Sequence, residues 1–555
     1  MQPTQSTVDV VIMGGGLAGL TLALQLRQRF PALDILVIER RKHPVPEAAH
    51  KVGESSVEIG AHYFETVLGL KAHLQTRQLK KFGFRFFFSE GRRDIDQVVE
   101  LGASRYLSTP SYQLDRGIFE NYLAEHTASV GVRFVDGASI TSFELRERGT
   151  RSERAGLGES LVSIGDREAS LHDVVYEQGG KSYSARARWL IDASGRAGLI
   201  KNKLGLSEQN AHDANSVWFR IAERIDVNDW SQSTEWLERC DPPDRWLSTN
   251  HLCGEGYWVW LIPLASGSHS VGIVADAKRH PLRTMNSFDK AMQWLHEHQP
   301  RLADALASKR PALQDFTALR RFSYGCKQVF SGNRWALTGE AGVFLDPFYS
   351  PGSDFIAIAN TYITELVAKD LAREPVEAFA HFYEQFYQSF YRSTLTMYVD
   401  QYKLFGDPEV MPVKVIWDYT YYWGVLCQLF FQHRLTDLTM LGRLRKELVG
   451  AMDLNAAMQT FLREWSWRSA KRNAPILLDQ AALGWFAELN RGLRDSLDDE
   501  GFKARVRANV AQLQTLAAQI VARATGDHPS LDASEVRRLL QDRATPSATL
   551  LFAAA

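Results

Sequence analysis

The feature that most constrains the fold of this chain is a glycine cluster between two apolar runs near the N-terminus. Residues 10–13 form a short, continuous run rich in β-branched side chains, which is typical of a buried parallel strand. The run leads into Gly14-x-Gly16-x-x-Gly19, and the apolar positions that follow have helical spacing. A second run, Ile35–Ile38, predicts the next strand. The sequence therefore predicts a βαβ unit that opens an α/β domain.

The same glycine pattern predicts a bound dinucleotide. Glu39 ends the second predicted strand 20 residues after Gly19, where a carboxylate can accept hydrogen bonds from adenosine ribose hydroxyls. The glycines let a pyrophosphate approach the amide groups at the helix N-terminus. A glycine-rich turn in any α/β protein is the alternative, but the strand, helix and acid together favour nucleotide binding. The predicted contacts are Gly14, Gly16, Leu17, Ala18, Gly19, Glu39 and Arg40.

Composition excludes several other classes of protein. The chain has 64 Lys+Arg and 65 Asp+Glu, a net charge of −1, which excludes a generally basic nucleic-acid-binding protein. Its hydrophobic content of 45% excludes a disordered chain. Four separated cysteines without a CxxC pair predict neither a disulfide framework nor a metal site, so a reducing cytoplasm is expected. No signal peptide is recognisable, and the apolar stretch 413–431 is too short and too polar to cross a bilayer.

Two later segments distinguish FAD from NAD as the expected nucleotide. Asp192-x-x-Gly195 and Gly339-Glu340 each follow a predicted strand, and an extended flavin dinucleotide needs such additional contacts. An ordinary strand terminus is the alternative for each segment alone. Together with Gln113 and Arg116 before a predicted helix, the order of motifs resembles the FAD-dependent aromatic hydroxylase-like flavoproteins. That superfamily usually has Asp beside the ribityl and pyrophosphate, where this chain has the longer Glu340.

Further motifs resemble the flavin-dependent halogenases. Residues 258–263 read W-x-W-x-I-P, a pattern similar to the signature of that family, with Trp258 and Trp260 on one face of a predicted strand. On periodicity alone, two core tryptophans would be the better interpretation. The element V-G-E-S-S resembles the segment that halogenases run alongside the flavin, which implies cofactor contacts from Val52, Gly53, Glu54 and Ser55.

A second family segment, F-L-D-P-F-Y-S-P-G-S-D-F, occupies residues 344–355. The resemblance places Pro347 at the flavin and a halide at Pro351, Gly352 and Ser353. Backbone N–H groups around Gly352 and Ser353, where a helix is expected to begin, could bind an anion. Pro351 departs from the family, which often has a free N–H there, because proline has no such donor.

A lysine pair precedes the aromatic run at residues 82–88. In the halogenases a lysine is followed four and five positions later by a basic residue and a phenylalanine. That register selects Lys81 as the catalytic lysine, with Arg85 and Phe86 completing it, and leaves Lys80 as the alternative. From the residues alone, a surface lysine pair introducing a buried strand is the simpler interpretation.

The resemblance implies a reaction as well as a fold. Reduced FAD (FADH2) and O2 oxidise a halide ion to hypohalous acid, and the lysine holds that acid, or a haloamine made from it, against an aromatic carbon. Trp258 and Trp260 are expected to separate the flavin from the substrate. Because the single G-x-G-x-x-G is used by FAD, the reduced flavin is expected from a separate reductase. No metal is expected to take part.

The expected fold class is α/β, with a Rossmann-like FAD-binding domain, an antiparallel-sheet substrate region and a helical C-terminal region. We expect a halogenase core over residues 1–365, with a β-rich insertion at about 210–330, and a helical region over 366–555 that could form a substrate lid.

Tyr349 stands where tryptophan-type halogenases have glutamate, which favours a phenol or pyrrole as substrate, either free or tethered to a carrier protein. Two alternatives remain open: an FAD-dependent aromatic monooxygenase and a non-catalytic FAD-binding paralogue.

Overall fold

The computed structural model describes residues 4–47, 53–147 and 171–540. A strand that the sequence predicts at residues 161–164 and the predicted contact Val52 lie outside these ranges. The strands are β1 (Thr4–Met13), β2 (Ile35–Ile38), β3 (Leu79–Lys80), β4 (Phe84–Phe87), β5 (Glu100–Gly102), β6 (Tyr112–Gln113), β7 (Arg133–Val135), β8 (Ala138–Glu144), β9 (His172–Gln178), β10 (Lys181–Asp192), β11 (Ser207–Gln209), β12 (Ala214–Ile221), β13 (Thr249–Gly254), β14 (Tyr257–Pro263), β15 (His269–Asp276), β16 (Leu313–Leu319), β17 (Tyr324–Cys326), β18 (Trp335–Leu337) and β19 (Leu477–Asp479).

The helices alternate with these strands in the first two thirds of the chain and dominate the remainder. They are α1 (Leu17–Arg29), α2 (Glu58–His62), α3 (Lys71–Arg77), α4 (Arg116–Ser129), α5 (Leu199–Lys203), α6 (Thr234–Glu238), α7 (Phe288–His298), α8 (Pro300–Ala307), α9 (Gly352–Leu371), α10 (Val376–Leu395), α11 (Val410–Tyr421), α12 (Gln428–Phe431), α13 (Leu438–Arg443), α14 (Arg445–Ser466), α15 (Gly484–Arg491), α16 (Asp499–Asp527) and α17 (Ser534–Leu540). In the described part of the chain, no helix is both long enough and apolar enough to span a bilayer.

The first sheet has the strand order β7-β2-β1-β10-β9-β8, and β18 also pairs with β10. Its centre is parallel, with β1 hydrogen-bonded to both β2 and β10, as expected for a βαβ unit. The four residues of β2 and residues 10–13 of β1 are buried, as is typical of the central strands of a parallel sheet. The predicted α/β fold class is confirmed.

The second sheet has the order β16-β12-β15-β14-β13-β4-β5-β19 and is mostly antiparallel. Alternate side chains of β14 enter two different cores, as the two-residue period of a strand requires. Val259 and Leu261 pack in the core that includes Trp294 of α7, whereas Trp258 and Trp260 belong to the larger core shared with the first sheet. The C-terminal region also contributes to this sheet, since β19 pairs in parallel with β5.

A buried ionic cluster joins the strands of the second sheet to the segment before β13. Glu100 of β5 contacts Arg85 of β4, and the Arg245 Nε also donates to Glu100 Oε1 over 2.9 Å. All three side chains are fully buried. A single carboxylate therefore balances two guanidinium groups that have no access to water.

Replacing Glu100 with glutamine is expected to destabilise the protein by about 3–5 kcal/mol, because two buried cations lose their counter-charge. The midpoint of denaturant-induced unfolding measures this effect. Glu144→Gln is the matched control, since Glu144 is 61% exposed beside Lys203 and its ion pair should contribute little. Equal midpoints for the two variants would contradict the assignment.

Candidate functional site

A cavity of about 620 Å3 opens at the carboxyl ends of the parallel strands of the first sheet and extends to the second sheet. Its walls come from the loop between β1 and α1, the segment after β10, the segment after β18 and strand β14. In open α/β sheets this edge is the usual place for a ligand, because the loops of neighbouring strands meet there. The cavity is long enough to touch both sheets, as an extended ligand requires.

The glycine turn at one end of the cavity is shaped for a close approach of phosphate. Gly14 has a φ of +120°, and a Cβ there would lie 2.2 Å from the carbonyl oxygen of Ala193. A Cβ on Gly16 would find no protein atom closer than Glu120 Oε1 at 4.0 Å, so this position faces open space. Helix α1 has no side-chain cap and no acid in its first turn. Its free amide groups are therefore available to an anion.

Two acids near this turn have different roles. Glu39 lines the cavity, and its Oε2 accepts the Gly15 N–H over 2.6 Å. Asp192 lies behind the cavity wall, where its Oδ1 accepts the Ser194 N–H over 3.0 Å and its Oδ2 the Ile200 N–H over 2.7 Å. Asp192 thus shapes the loop that lines the cavity, and burial raises the pKa of its carboxyl group.

Most of the predicted contact residues line the large cavity. These are Gly14, Gly16, Leu17, Ala18, Glu39, Arg40, Gly53, Glu54, Ser55, Arg116, Gly195, Gly339, Glu340, Pro347, Pro351, Gly352 and Ser353. Gly19, Gln113 and Asp192 do not line it. A Cβ on Gly19 would meet the Gly14 carbonyl oxygen at 2.0 Å, and the Gln113 side chain donates to Thr249 Oγ1 over 3.0 Å. The assignment of each residue to a cofactor or halide contact stays a prediction.

The two tryptophans of β14 form part of the cavity wall. Their ring centroids lie 5.6 Å apart. The indole N–H of Trp258 donates to the Tyr402 hydroxyl and that of Trp260 to Ser270 Oγ, both over 3.1 Å. These bonds hold both rings in fixed orientations. Their predicted role in separating flavin from substrate stays a prediction.

The predicted halide segment forms the entrance to helix α9, which begins at Gly352. The Pro351 carbonyl accepts the N–H groups of Asp354 and Phe355 over 3.1 Å, which closes the first helical turn. Pro351 and Phe355 line the large cavity and also a second cavity of about 50 Å3. The start of α9 is therefore a wall between two cavities.

The second cavity is apolar apart from a few hydroxyl and carboxyl groups. It is lined by Val57, Phe84, Met397, the carboxyl groups of Asp354 and Asp418, and five tyrosines: Tyr349, Tyr398, Tyr419, Tyr421 and Tyr422. The segment after α10, helix α11 and the turn after α11 contribute many of these side chains, so the C-terminal region completes the cavity. Its apolar and aromatic walls have the chemistry of a ring-binding site. Its volume is smaller than the roughly 150 Å3 of a cavity that holds benzene, so a bound ring requires the lining side chains to move apart.

Lys81 lies beside this second cavity. Its side chain is 3% exposed, and Nζ donates to Ser55 Oγ over 2.9 Å and to the Ser56 carbonyl over 3.0 Å. Nζ is also 3.4 Å from the ring centroid of Phe84, which lines the cavity. Burial lowers the pKa of Lys81 well below its ordinary value, although the charges of Glu58 and Asp354 oppose the shift.

Lys80 has a different environment from Lys81. It is exposed, and its ammonium group lies 4.5 Å from the ring centroid of Tyr106. Of the two lysines in the pair, Lys81 alone combines burial with a place beside the second cavity.

Tyr349 reaches the C-terminal helices through a buried network. Its hydroxyl donates to Asp418 Oδ2 over 2.8 Å, and Lys414 Nζ donates to the same oxygen over 2.6 Å. Gln459 donates to the other oxygen of Asp418 over 2.6 Å. The charge of Asp418 is therefore balanced inside the protein.

Three acids near the second cavity have no role that the sequence motifs predict. Asp354 occupies the first turn of α9, two residues after Gly352, and Glu58 follows Glu54 by four residues. Because Asp354 and Glu58 each lie next to a motif identified in the sequence, both could have been selected as candidate site residues from the sequence. Asp418 could not, because no local pattern shows that α11 would pack against Tyr349.

Comparisons with known proteins agree on a flavin-binding family. The sequence profile of the FAD binding domain matches residues 7–263. The chain is 26% identical over 480 residues to flavin-dependent halogenase chlA of Dictyostelium discoideum, with 80% of this chain and 76% of that protein covered. It is 25% identical over 364 residues to the 1H-pyrrole-2-carbonyl-[peptidyl-carrier protein] chlorinase of Pseudomonas fluorescens, with 62% and 72% covered.

Solved structures show the same fold. Halogenase PltM superimposes with a TM-score of 0.63 at 16% identity, covering 92% of this chain and 96% of that one. A flavoprotein/dehydrogenase from Cytophaga hutchinsonii gives a TM-score of 0.55 at 18% identity, covering 79% of this chain and 100% of that one. The first match extends into the C-terminal helical region.

Proposed function

Because the chain belongs to the flavin-dependent halogenases, we propose that it installs chloride or bromide on an electron-rich aromatic ring, a phenol or a pyrrole. The observation that carries this proposal is the buried amine of Lys81 beside an aromatic-lined cavity, which shares a wall with the larger cavity. That arrangement provides one compartment for oxidising a halide and another for the ring.

The large cavity fits FAD. The open space at Gly16 and the free amide groups of α1 suit its pyrophosphate, and Glu39 is placed for the adenosine ribose. When bound in its reduced form, FAD supplies with O2 the two-electron oxidation that converts a halide ion to hypohalous acid. A separate flavin reductase is the proposed source of FADH2.

Lys81 then controls where the hypohalous acid reacts. An uncharged amine can take the halogen, forming a nitrogen–halogen bond as water leaves, and a charged one can hold the acid by a hydrogen bond. The low pKa that burial imposes on Lys81 favours the uncharged form. Its Ser55 and Ser56 contacts fix Nζ next to Phe84, so the halogen would be presented to a ring in the second cavity.

The test is a reaction with FAD, a flavin reductase, chloride or bromide, and a panel of free phenols, pyrroles, carrier-tethered pyrroles and tryptophan, read by mass spectrometry. Since Tyr349 stands where tryptophan-type halogenases have glutamate, free tryptophan is expected to be a poor substrate and a phenol or pyrrole a better one. Efficient turnover of tryptophan alone would contradict this. Hydroxylated products independent of halide would instead identify a monooxygenase, and flavin binding without any product a non-catalytic paralogue.

A further inference from the structure

We infer that Asp354 accepts the ring hydroxyl of a phenolic substrate in the second cavity and takes its proton as the halogen is transferred. This inference rests on the proposed function and names a base for it. Asp354 is 2% exposed and lines the cavity that Lys81 borders through Phe84. A carboxylate there lies on the substrate side of the wall formed by Pro351 and Phe355.

The Asp354 carboxyl group is held in place and keeps acceptor capacity. Its Oδ1 accepts the Gly60 N–H over 2.8 Å, and its Oδ2 accepts the Tyr422 hydroxyl over 2.6 Å. Each carboxylate oxygen can accept two hydrogen bonds, so a further donor can bind at each. The two protein donors orient the group without neutralising it.

The other acids nearby are less suited to this role. Asp418 also lines the cavity, but Lys414, Gln459 and Tyr349 occupy its oxygens. Glu58 is buried and its Oε2 has no hydrogen-bond partner among the described residues, but it does not line the cavity. Asp354 is thus the carboxyl group on the cavity wall whose oxygens keep acceptor capacity for a ligand.

The chemistry balances as an aromatic substitution. The hydroxyl proton moves to Asp354, and a pair of ring electrons forms the carbon–halogen bond. The halogen–oxygen bond of hypohalous acid, or the nitrogen–halogen bond of the haloamine, breaks with its electrons on oxygen or nitrogen, which takes up a proton. Loss of the proton from the halogenated carbon restores the aromatic ring, and Asp354 returns a proton to the ring oxygen. The sum is exchange of a ring hydrogen for halogen, with water released from hypohalous acid.

Burial raises the pKa of Asp354 to about 8, although Tyr422, Gly60 and the charge of Lys81 oppose the shift. The base is therefore mostly protonated at neutral pH and ionises as the pH rises through about 8. Its titratable neighbours from the surrounding elements are Glu58, Lys81, Tyr398, Tyr422 and Cys427. A phenol that donates to the ionised form should bind more tightly as the pH rises.

Calorimetric titration of the protein as purified with phenol and with its methyl ether, anisole, tests this without turnover. In the wild type, phenol should bind about tenfold more tightly at pH 9 than at pH 7, whereas anisole should show no such gain. Asp354→Asn, which keeps the shape of the side chain, should bind both rings weakly and equally at either pH. Glu58→Gln should keep the phenol preference, and Asp354→Glu should restore part of it.

The same variants in the halogenation assay give a second measurement. The wild type should halogenate phenol faster as the pH rises through about 8. Asp354→Asn should show no such increase with pH, and its kcat should be about 10²–10⁴-fold lower than that of the wild type, with a smaller change in KM. Retention of the pH-dependent phenol preference in Asp354→Asn, or its loss in Glu58→Gln alone, would overturn the inference. If the wild type makes no halogenated product yet shows the pH-dependent binding, the proposed function fails, and Asp354 stands only as the group that accepts the ring hydroxyl.

Discussion

Lys81→Met is expected to lower the yield of halogenated product by about a hundredfold or more while FAD stays bound. Methionine keeps the length of the side chain and packs well in an apolar site, so the fold around Phe84 should be preserved. What is lost is the nitrogen that holds the halogen near the ring, and positioned catalytic groups commonly contribute effects of this size. Product is measured by mass spectrometry, and flavin content by absorbance.

Lys80→Met is the matched control and should retain wild-type activity, because Lys80 is exposed and contacts Tyr106 rather than the second cavity. Lys81→Arg should be nearly as inactive as Lys81→Met, since a guanidinium stays protonated and cannot form a haloamine. An inactive Lys80→Met beside an active Lys81→Met would show that the other lysine carries the reaction. Activity in both would remove the lysine step from the mechanism.

Gly16→Val is expected to weaken FAD binding by roughly a hundredfold or more without unfolding the protein. The valine side chain would meet no protein atom closer than 4.0 Å at its Cβ, so it would project into the space that the pyrophosphate needs. The backbone at this position has a φ of −81° and a ψ of −171°, which an L-residue adopts without strain. Flavin fluorescence titration measures the affinity, and thermal unfolding checks the fold.

Gly450→Val serves as the control for this glycine substitution. Gly450 lies on an exposed part of α14, and a Cβ added there would have no neighbouring atom within 4 Å, so FAD affinity should match that of the wild type. Unchanged FAD binding in Gly16→Val would show that the pyrophosphate does not lie at this turn.

Local patterns predicted the βαβ unit at the start of the first sheet. The run 35–38 is a strand with those bounds, and helix α1 begins at Leu17, directly after the glycine turn. Short-range rules suffice there, because a buried parallel strand needs a continuous apolar run and a phosphate turn needs glycines at fixed spacing. The resemblance to the halogenases selected Lys81 over Lys80 by its register, and the structure places Lys81 in the buried environment.

Long-range packing decided what local patterns could not. Gln113 and Asp192 stand in motifs that predict cofactor contact, yet they bind Thr249 and the loop at Ser194 instead of lining the cavity. Nothing near residue 418 in the sequence indicates that its carboxylate would meet Tyr349, 69 residues away along the chain. Side chains meet across such separations only after the helices have docked on the sheets.

By itself, the sequence determined the α/β class, the glycine turn and the order of the cofactor motifs, because each depends on residues close together in the chain, and its resemblance to a family selected the lysine register. The tertiary structure alone decided that the start of α9 divides two cavities and that helices from the C-terminal region complete the second. It also decided that Asp354 and Lys81 are both buried and lie near enough for the charge of each to affect the pKa of the other. Burial and pKa depend on what distant segments pack against a group, and no local pattern contains that information.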